Sequence, residues 1–555
     1  MKKTQKLTAL ILSLVLLLAF AVPASADYDY EAHARILFSD YAGKTVILHT
    51  NDVHGALEGY AYMPALRARF VAAGADVILV DAGDFSQGTS YVSLTKGASA
   101  VTVMDEVGYD IVTLGNHEFD YGYAQLKKNL DQARFKVLCA DVYLDETGET
   151  IYDADTVIET EHGLRLGFFG METPETATKV NPGLNKGISI ATFDDFYASA
   201  QLAVDDLKKQ NADLIIGVVH LGVDEESAAN GYRSIDLYEK VPDIDFLIDG
   251  HSHTVMTDGE HGEPIQSTGT GFAYIGIIVI DNETKTVESN YLLSTDGLAM
   301  DPVVAASALA IIKTVDTQFG EPFAETEVFL DGERDPGNRT KETNLGSLIT
   351  EAMIWNVESS GGLDQYPDIP VVGITNGGGI RASVDKGQVT MRDINTVLPF
   401  GSTVAVVLVN GKELLEALEA STYCTPAAVG GFPQTCGMEW TLDITVPYDQ
   451  GDVYVLNGKE SSYYAPASIR RVSIRTVNGQ PFDIDANYVV VTNDFCAAGG
   501  DTYNAFNRAF RQGFGFDTGV PMDEAVVDYI VNVLGGVIGE KYANPPAEVT
   551  IILPQ

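Results

Sequence analysis

The chain is short of positive charge. Its 555 residues include 35 Lys plus Arg against 78 Asp plus Glu, a formal net charge of −43. Nucleic-acid polymers and anionic membrane surfaces are polyanions, so general binding to either is excluded. Cysteine is scarce: four residues rule out a small disulfide-built scaffold. Histidine stops at His261, so any imidazole chemistry belongs to the first half. No internal repeat or low-complexity tract is present. Beyond the N-terminal leader no run is long and apolar enough to span a bilayer. What remains is an ordinary globular composition, 45% hydrophobic and 20% charged, long enough for two or three domains.

The leader reads as a secretory signal. Lys2, Lys3 and Lys6 precede an apolar run from Leu7 to Val22, and Ala24-Ser25-Ala26 follows as a small-residue cleavage pattern. An uncleaved anchor is the alternative, but the run is short for a membrane span. Removal after Ala26 is therefore expected, with no membrane insertion afterwards and a secreted or periplasmic product. No cysteine follows the cleavage site to mark a lipoprotein. Export permits disulfides. Cys424 and Cys436 bracket a loop rich in Gly, Pro and Ala and are expected to pair. Cys139, in an apolar run, reads as a small buried hydrophobe, and Cys496 as a free thiol.

The first half repeats one device, a short β-branched or apolar run that ends abruptly in polar residues. Thr45–Leu48 leads to Asn51-Asp52-Val53-His54, and Val77–Val80 to Asp81-Ala82-Gly83-Asp84. Ile111–Leu114 leads to Gly115-Asn116-His117-Glu118, Leu214–Val219 to His220, and Phe246–Asp249 to Gly250-His251-Ser252-His253. Such runs predict buried strands. Helix-compatible segments, Ala61–Ala73 and Phe193–Asn211 among them, lie between. Strands alternating with helices imply sheets covered by helices, with sites where the strands end. A further helix is predicted over Asp301–Phe319, with Pro302 at its start.

Gathered together, the strand-end residues Asp52, His54, Asp84, Asn116, His220, His251 and His253 form an oxygen-and-imidazole set without thiolate. That suits Mn, Zn, Co, Mg or Ca and argues against an iron–sulfur cluster or zinc finger. Singly, each fragment reads as a capped turn or a satisfied histidine. Together they exceed the needs of one ion and suffice for two, about 3.5–4 Å apart, if a carboxylate bridges them. Asp84 is the candidate bridge.

The order Asp-x-His, Gly-Asp, Gly-Asn-His-Glu, His, Gly-His-x-His resembles the signature of the calcineurin-like metallophosphoesterases. Leu48-His49-Thr50-Asn51-Asp52-Val53-His54-Gly55 and Gly83-Asp84-Phe85-Ser86-Gln87-Gly88 are similar to its 5′-nucleotidase branch. The resemblance implies an α/β chain with four domain-level parts. These are a signal peptide (1–26), a four-layered α/β/β/α metallophosphoesterase domain (27–300), a linker helix (301–321) and a second, α+β substrate-binding domain (322–555). It also implies two divalent ions, Zn, Mn or Co. Asp52, His54, Asp84 and His253 would hold one, and Asp84, Asn116, His220 and His251 the other. Relatives vary at the position of His253. His117 and Asp120 match the catalytic dyad: His117 would donate to phosphoryl oxygens and Asp120 would orient it. Asp120 could also serve simply as a helix cap.

In the second half, Arg339 in Asn338-Arg339-Thr340-Lys341-Glu342-Thr343-Asn344-Leu345-Gly346 and Arg381 in Asn376-Gly377-Gly378-Gly379-Ile380-Arg381 are the best sources of local positive charge. Both match motifs of the family. By the same resemblance Phe400 and Phe495 stack a nucleobase, Asp501 meets the ribose and Asn376 contacts substrate. On composition alone each phenylalanine would be core. With metals in one half and the base clamp in the other, rotation of the second domain about the helix is implied. The function expected is dephosphorylation of nucleoside 5′-monophosphates by metal-activated water. The alternatives are UDP-sugar hydrolysis, 2′,3′-cyclic phosphodiesterase with 3′-nucleotidase activity, and a catalytically silent nucleotide-binding surface protein.

Overall fold

The computed structural model describes residues 40–180, 187–224, 227–228, 231–456 and 459–554. The expected signal peptide and its cleavage site lie outside the described residues.

Each predicted buried run forms a strand, and the strands divide between two six-stranded sheets. Across the first sheet the order is Thr286–Ser294, Tyr274–Asp281, Lys44–Thr50, Asp76–Asp81, Ile111–Thr113 and Lys136–Leu138, the last four parallel to one another. In the second, Arg165–Glu172, Leu214–His220, Phe246–Ile248 and Ile265–Thr268 run parallel. Side chains alternate faces along a strand, and here the alternation decides the layering. Ile47, Ile78, Ile111, Phe168, Ile216 and Ile248 point between the sheets into one apolar layer. Their neighbours Val46, Leu48 and Leu79 face outward onto helices Tyr62–Ala72 and Ala98–Val107. On the far side Phe169, Met171, Ile215 and Val219 face helix Phe193–Lys209 through Phe196, Ala200, Val204 and Leu207. Helix, sheet, sheet, helix is the four-layered order.

Helix Pro302–Phe319 follows. Its N-cap Asp301 accepts from the backbone N–H of Val303 and Val304, and Pro302 occupies the first turn. Asp316 near its end meets Tyr91 of the first half and Arg392 of the second.

Beyond it a five-stranded sheet runs in the order Pro433–Cys436, Val371–Asn376, Asn487–Asn493, Thr403–Asn410, Gly515–Pro521. Val404, Val406, Val489 and Val491 pack on one side with Leu348, Ile349 and Met353 of helix Asn344–Ser359. Val372, Ile374, Val407 and Val490 pack on the other with Leu414 and Leu418 of helix Gly411–Ser421.

The expected Cys424–Cys436 disulfide is absent, and all four cysteines are thiols. The sheet separates the pair. Cys436 lies beside Thr350 of helix Asn344–Ser359, against Gly373, whereas Cys424 packs against the core on the opposite face. Proximity in sequence does not bring together a side chain on an edge strand and one in a turn on the opposite face of the sheet.

Phe168 is fully buried between the two sheets of the first domain. Replacing it with alanine should cost about 3–5 kcal/mol, from lost burial and the cavity left behind. Urea unfolding monitored at the first domain measures this. A loss below about 1 kcal/mol would mean that this layer does not hold the sheets together.

Candidate metal centre and the cleft beside it

Because the strands concerned are parallel within each sheet, their C-terminal ends lie along one edge. The loops leaving those ends bring together all seven predicted ligand residues. Asp52, His54, Asp84, His251 and His253 adopt left-handed backbone conformations, with φ of 48°, 46°, 63°, 74° and 57°. Non-glycine residues pay about 1–3 kcal/mol for this and hold it only where the surroundings over-determine them.

The over-determination comes from buried acids. The Glu118 carboxylate accepts four backbone N–H groups, from Asp84, Phe85, Ser86 and Gly115, and ties two of the loops together. Asp249 does the same for Leu221, Gly222 and Gly250. Asn51 bonds Thr268 and Gly269. Burial and the nearby Asp84 push Glu118 up to about 7, while the backbone donors favour its anion. With both oxygens already accepting, the geometry is that of the carboxylate. Glycine is needed where loops touch: a Cβ at Gly115 would stand 2.3 Å from Asp84 Oδ1.

The ligand atoms face one another in close pairs. His54 Nε2 lies 3.0 Å from His253 Nε2, His251 Nδ1 is 2.9 Å from Asn116 Oδ1, and His220 Nε2 is 3.2 Å from Asp84 Oδ2. Asp84 Oδ2 is also 3.7 Å from His54 Nε2, so it faces both groups, and Asp52 Oδ1 lies 3.4 Å from His253 Nε2. For ligands about 2.1 Å from a cation these are the edge lengths of a coordination polyhedron. Tautomers agree at two positions. His220 Nδ1 donates to the Ala82 carbonyl at 2.6 Å and His54 Nδ1 to the Gln87 carbonyl at 3.2 Å. That turns each Nε2 inward, where His220 Nε2 is buried against Asp84 Oδ2. His253 differs. Its Nδ1 faces Arg334 Nη1 at 3.4 Å, and a guanidinium only donates, so ligation through Nε2 requires that contact to open.

The field of the cluster calls for a cation. Burial opposes charge on Asp84, yet His220 and His117 beside it hold its carboxyl well below the usual range. Burial also works against a proton on His220, but Asp84 and Asp52 raise it well above the ordinary imidazole value. His54 is lowered by burial and His253, and His253 by burial and Arg334. Buried carboxylates and imidazoles gathered this closely supply the donor set that divalent ions take.

His117 stands beside the cluster, with Nε2 3.9 Å from Asp84 Oδ2 and Nδ1 2.7 Å from Asp120 Oδ2. Its other face carries the ring of Phe400, centroids 5.5 Å apart at 25°. A single cleft of about 1110 Å³, open mouth included, runs from here into the second domain. Asp84, Asn116, His117, Asp120, His251 and His253 of the first domain line it together with Arg339, Asn376, Arg381, Phe400, Phe495 and Asp501 of the second. Asn376 Nδ2 donates to Asp501 Oδ2 at 3.1 Å, and Gly500 lies so close beneath Phe495 that a Cβ would meet the ring at 2.4 Å. Arg334, missed in the sequence, lines the cleft and pairs with Asp224 across the domains. Its signal was a third basic residue in the same segment as Arg339. Glu118 and Asp249 were also missed, although each adjoins a ligand motif.

Two family profiles match. Calcineurin-like phosphoesterase covers residues 45–255, and 5′-nucleotidase, C-terminal domain, covers 322–508. The chain belongs to the 5′-nucleotidase family. It is a metal-dependent hydrolase of that family, and its clustered Asp and His groups are of the kind that hold divalent ions. It is 27% identical to the 5′-nucleotidase of Bos taurus, over 90% of this chain and 89% of that protein. It is 29% identical to the trifunctional nucleotide phosphoesterase protein YfkN of Bacillus subtilis, covering 83% of this chain but only 32% of that longer protein. The crystal structure of a 5′-nucleotidase precursor from Thermus thermophilus superposes with a TM-score of 0.74 at 28% identity, over 92% of this chain and all of that one. Among the described residues of this 5′-nucleotidase-family chain no helix is long and apolar enough to cross a membrane.

Gly115→Ala tests the loop packing. The added methyl must displace Asp84, so Mn²⁺ affinity should fall about tenfold or more while far-UV circular dichroism is unchanged. Wild-type affinity would show that Asp84 is not held by this approach.

Proposed function

We propose that the protein is an exported phosphohydrolase that removes phosphate from nucleoside 5′-monophosphates at two divalent ions, Zn, Mn or Co. Asp52, His54, Asp84 and His253 would hold one ion, and Asp84, Asn116, His220 and His251 the other. The observation that carries this reading is the single cleft that the Asp and His cluster of the first domain shares with arginines and aromatic rings of the second. When bound, the ions supply charge neutralisation and an ionised water near neutral pH.

The chain's own residues do the rest. His117, its ring set by Asp120 at Nδ1, donates from Nε2 in its imidazolium form to phosphoryl oxygens as negative charge builds. Arg339 and Arg381 attract the phosphate in a chain that is otherwise strongly anionic. Phe400 and Phe495 offer ring faces to the base, and Asp501, held by Asn376, offers an acceptor to a ribose hydroxyl. Rotation of the second domain about helix Pro302–Phe319 would admit substrate and release product.

Phosphate release from AMP, 3′-AMP, 2′,3′-cyclic AMP and UDP-glucose, after chelation and after metal is restored, tests the assignment. AMP turnover should vanish with chelator and return with metal. Preference for a cyclic, 3′ or sugar substrate would replace the substrate class, and inertness with metal bound would overturn the enzyme reading. His117→Asn should lower kcat about 10²–10³-fold at unchanged metal content. Phe495→Ala should raise KM for AMP by about five- to hundredfold, the equivalent of about 1–3 kcal/mol of stacking. An unchanged KM would remove Phe495 from the clamp.

A further inference from the structure

His251 is oriented differently from its neighbours. His54 and His220 each give their outer nitrogen to a backbone carbonyl. His251 turns its outer nitrogen, Nε2, to the carboxylate of Glu175 at 3.1 Å. Glu175 is fully buried and comes from none of the ligand loops. Both partners are acceptors, the Glu175 carboxylate at Nε2 and Asn116 Oδ1 at Nδ1, and a neutral ring has one hydrogen to give; given to the charged carboxylate, it leaves the Nδ1 lone pair for a cation. That is the tautomer a cation needs, on a residue whose backbone is itself strained at φ 74°.

The segment that carries Glu175 is pinned from two directions. It begins where strand Arg165–Glu172 ends, and the Thr176 hydroxyl donates back to the Glu172 carboxylate. From the second domain, the buried Ser462 hydroxyl donates to the Pro174 carbonyl at 3.0 Å. Ser462 lies on strand Lys459–Pro466, which forms a hairpin with Gln450–Leu456 and packs on the short helix Thr176–Lys179.

We propose that Glu175 is a positioning residue for His251, and that this hairpin holds it in place. The second domain thereby reaches the metal centre by a route separate from the substrate cleft. The inference rests on the two-ion reading above.

The test is calorimetric titration of the chelator-treated full chain with Mn²⁺ alone, beside the Tm of the metal-free protein and kcat at saturating Mn²⁺. Glu175→Ala should weaken Mn²⁺ binding by about 10–100-fold, with kcat largely regained once Mn²⁺ saturates. Glu175→Gln, which keeps an acceptor oxygen but not the charge, should lose about three- to tenfold, between the alanine variant and wild type. Ser462→Ala should shift affinity in the same direction by about threefold, and unchanged affinity there would overturn the part given to the hairpin. Should Glu175→Ala not fold, Glu175→Gln decides, and wild-type affinity in it would overturn the role of Glu175. Failure of the wild type itself to bind Mn²⁺ would instead sink the two-ion reading.

Discussion

Asp52, Asp84 and His220 are buried with their ligand atoms within 4.8 Å of one another, and the rest of the first domain is arranged around that fact. Like charges in a dry interior cannot both stay ionised without a cation beside them. The fold sustains the arrangement by separating duties. An apolar layer between the two sheets carries stability, and the strand ends carry the charge. Left-handed backbone concentrates in the loops that leave those ends. Asp and His enter that region more readily than branched residues, so the ligand chemistry and the backbone geometry favour the same residue types.

The same opposition between near and far governs substrate capture. A net charge of −43 should repel a phosphate, yet free charges are screened beyond about 8 Å at physiological salt. Arg334, Arg339 and Arg381 line the cleft beside five aspartates, so local positive charge there rests on the arginines together with the ions proposed above. The excess acid on the surface is thus compatible with an anionic ligand, provided that the last few ångströms are positive.

Much of this was legible in the sequence because it depends on short-range pattern. A run such as Val77–Val80 ending in Asp-x-Gly-Asp announces both a strand and what lies at its end, and Pro302 announces the helix. Four layers need more than pattern: that Ile47 faces one core and Val46 another follows from alternation, but which sheet lies opposite follows only from topology. Glu118 and Asp249 stayed hidden because their work is done on backbone N–H groups, which every residue has. Glu175 was hidden because its partner lies 76 positions away. Tyr503, Phe432 and Phe495 belong to one buried cluster, and that Phe495 alone of the three also lines the cleft is not written in their spacing. The disulfide failed for a related reason, since a short loop says nothing about which face of a sheet each end occupies.

The ligand residues come from five segments spread between Asp52 and His253, on two different sheets. No fragment of the chain short of both sheets contains the centre. A polypeptide that crosses a membrane unfolded therefore carries loose carboxylates and imidazoles but no preformed trap for metal. On the exported, metal-dependent reading proposed above, its ions would be drawn from the compartment in which the second sheet docks on the first. Metal identity would then record where folding was completed as much as a property of the ligands.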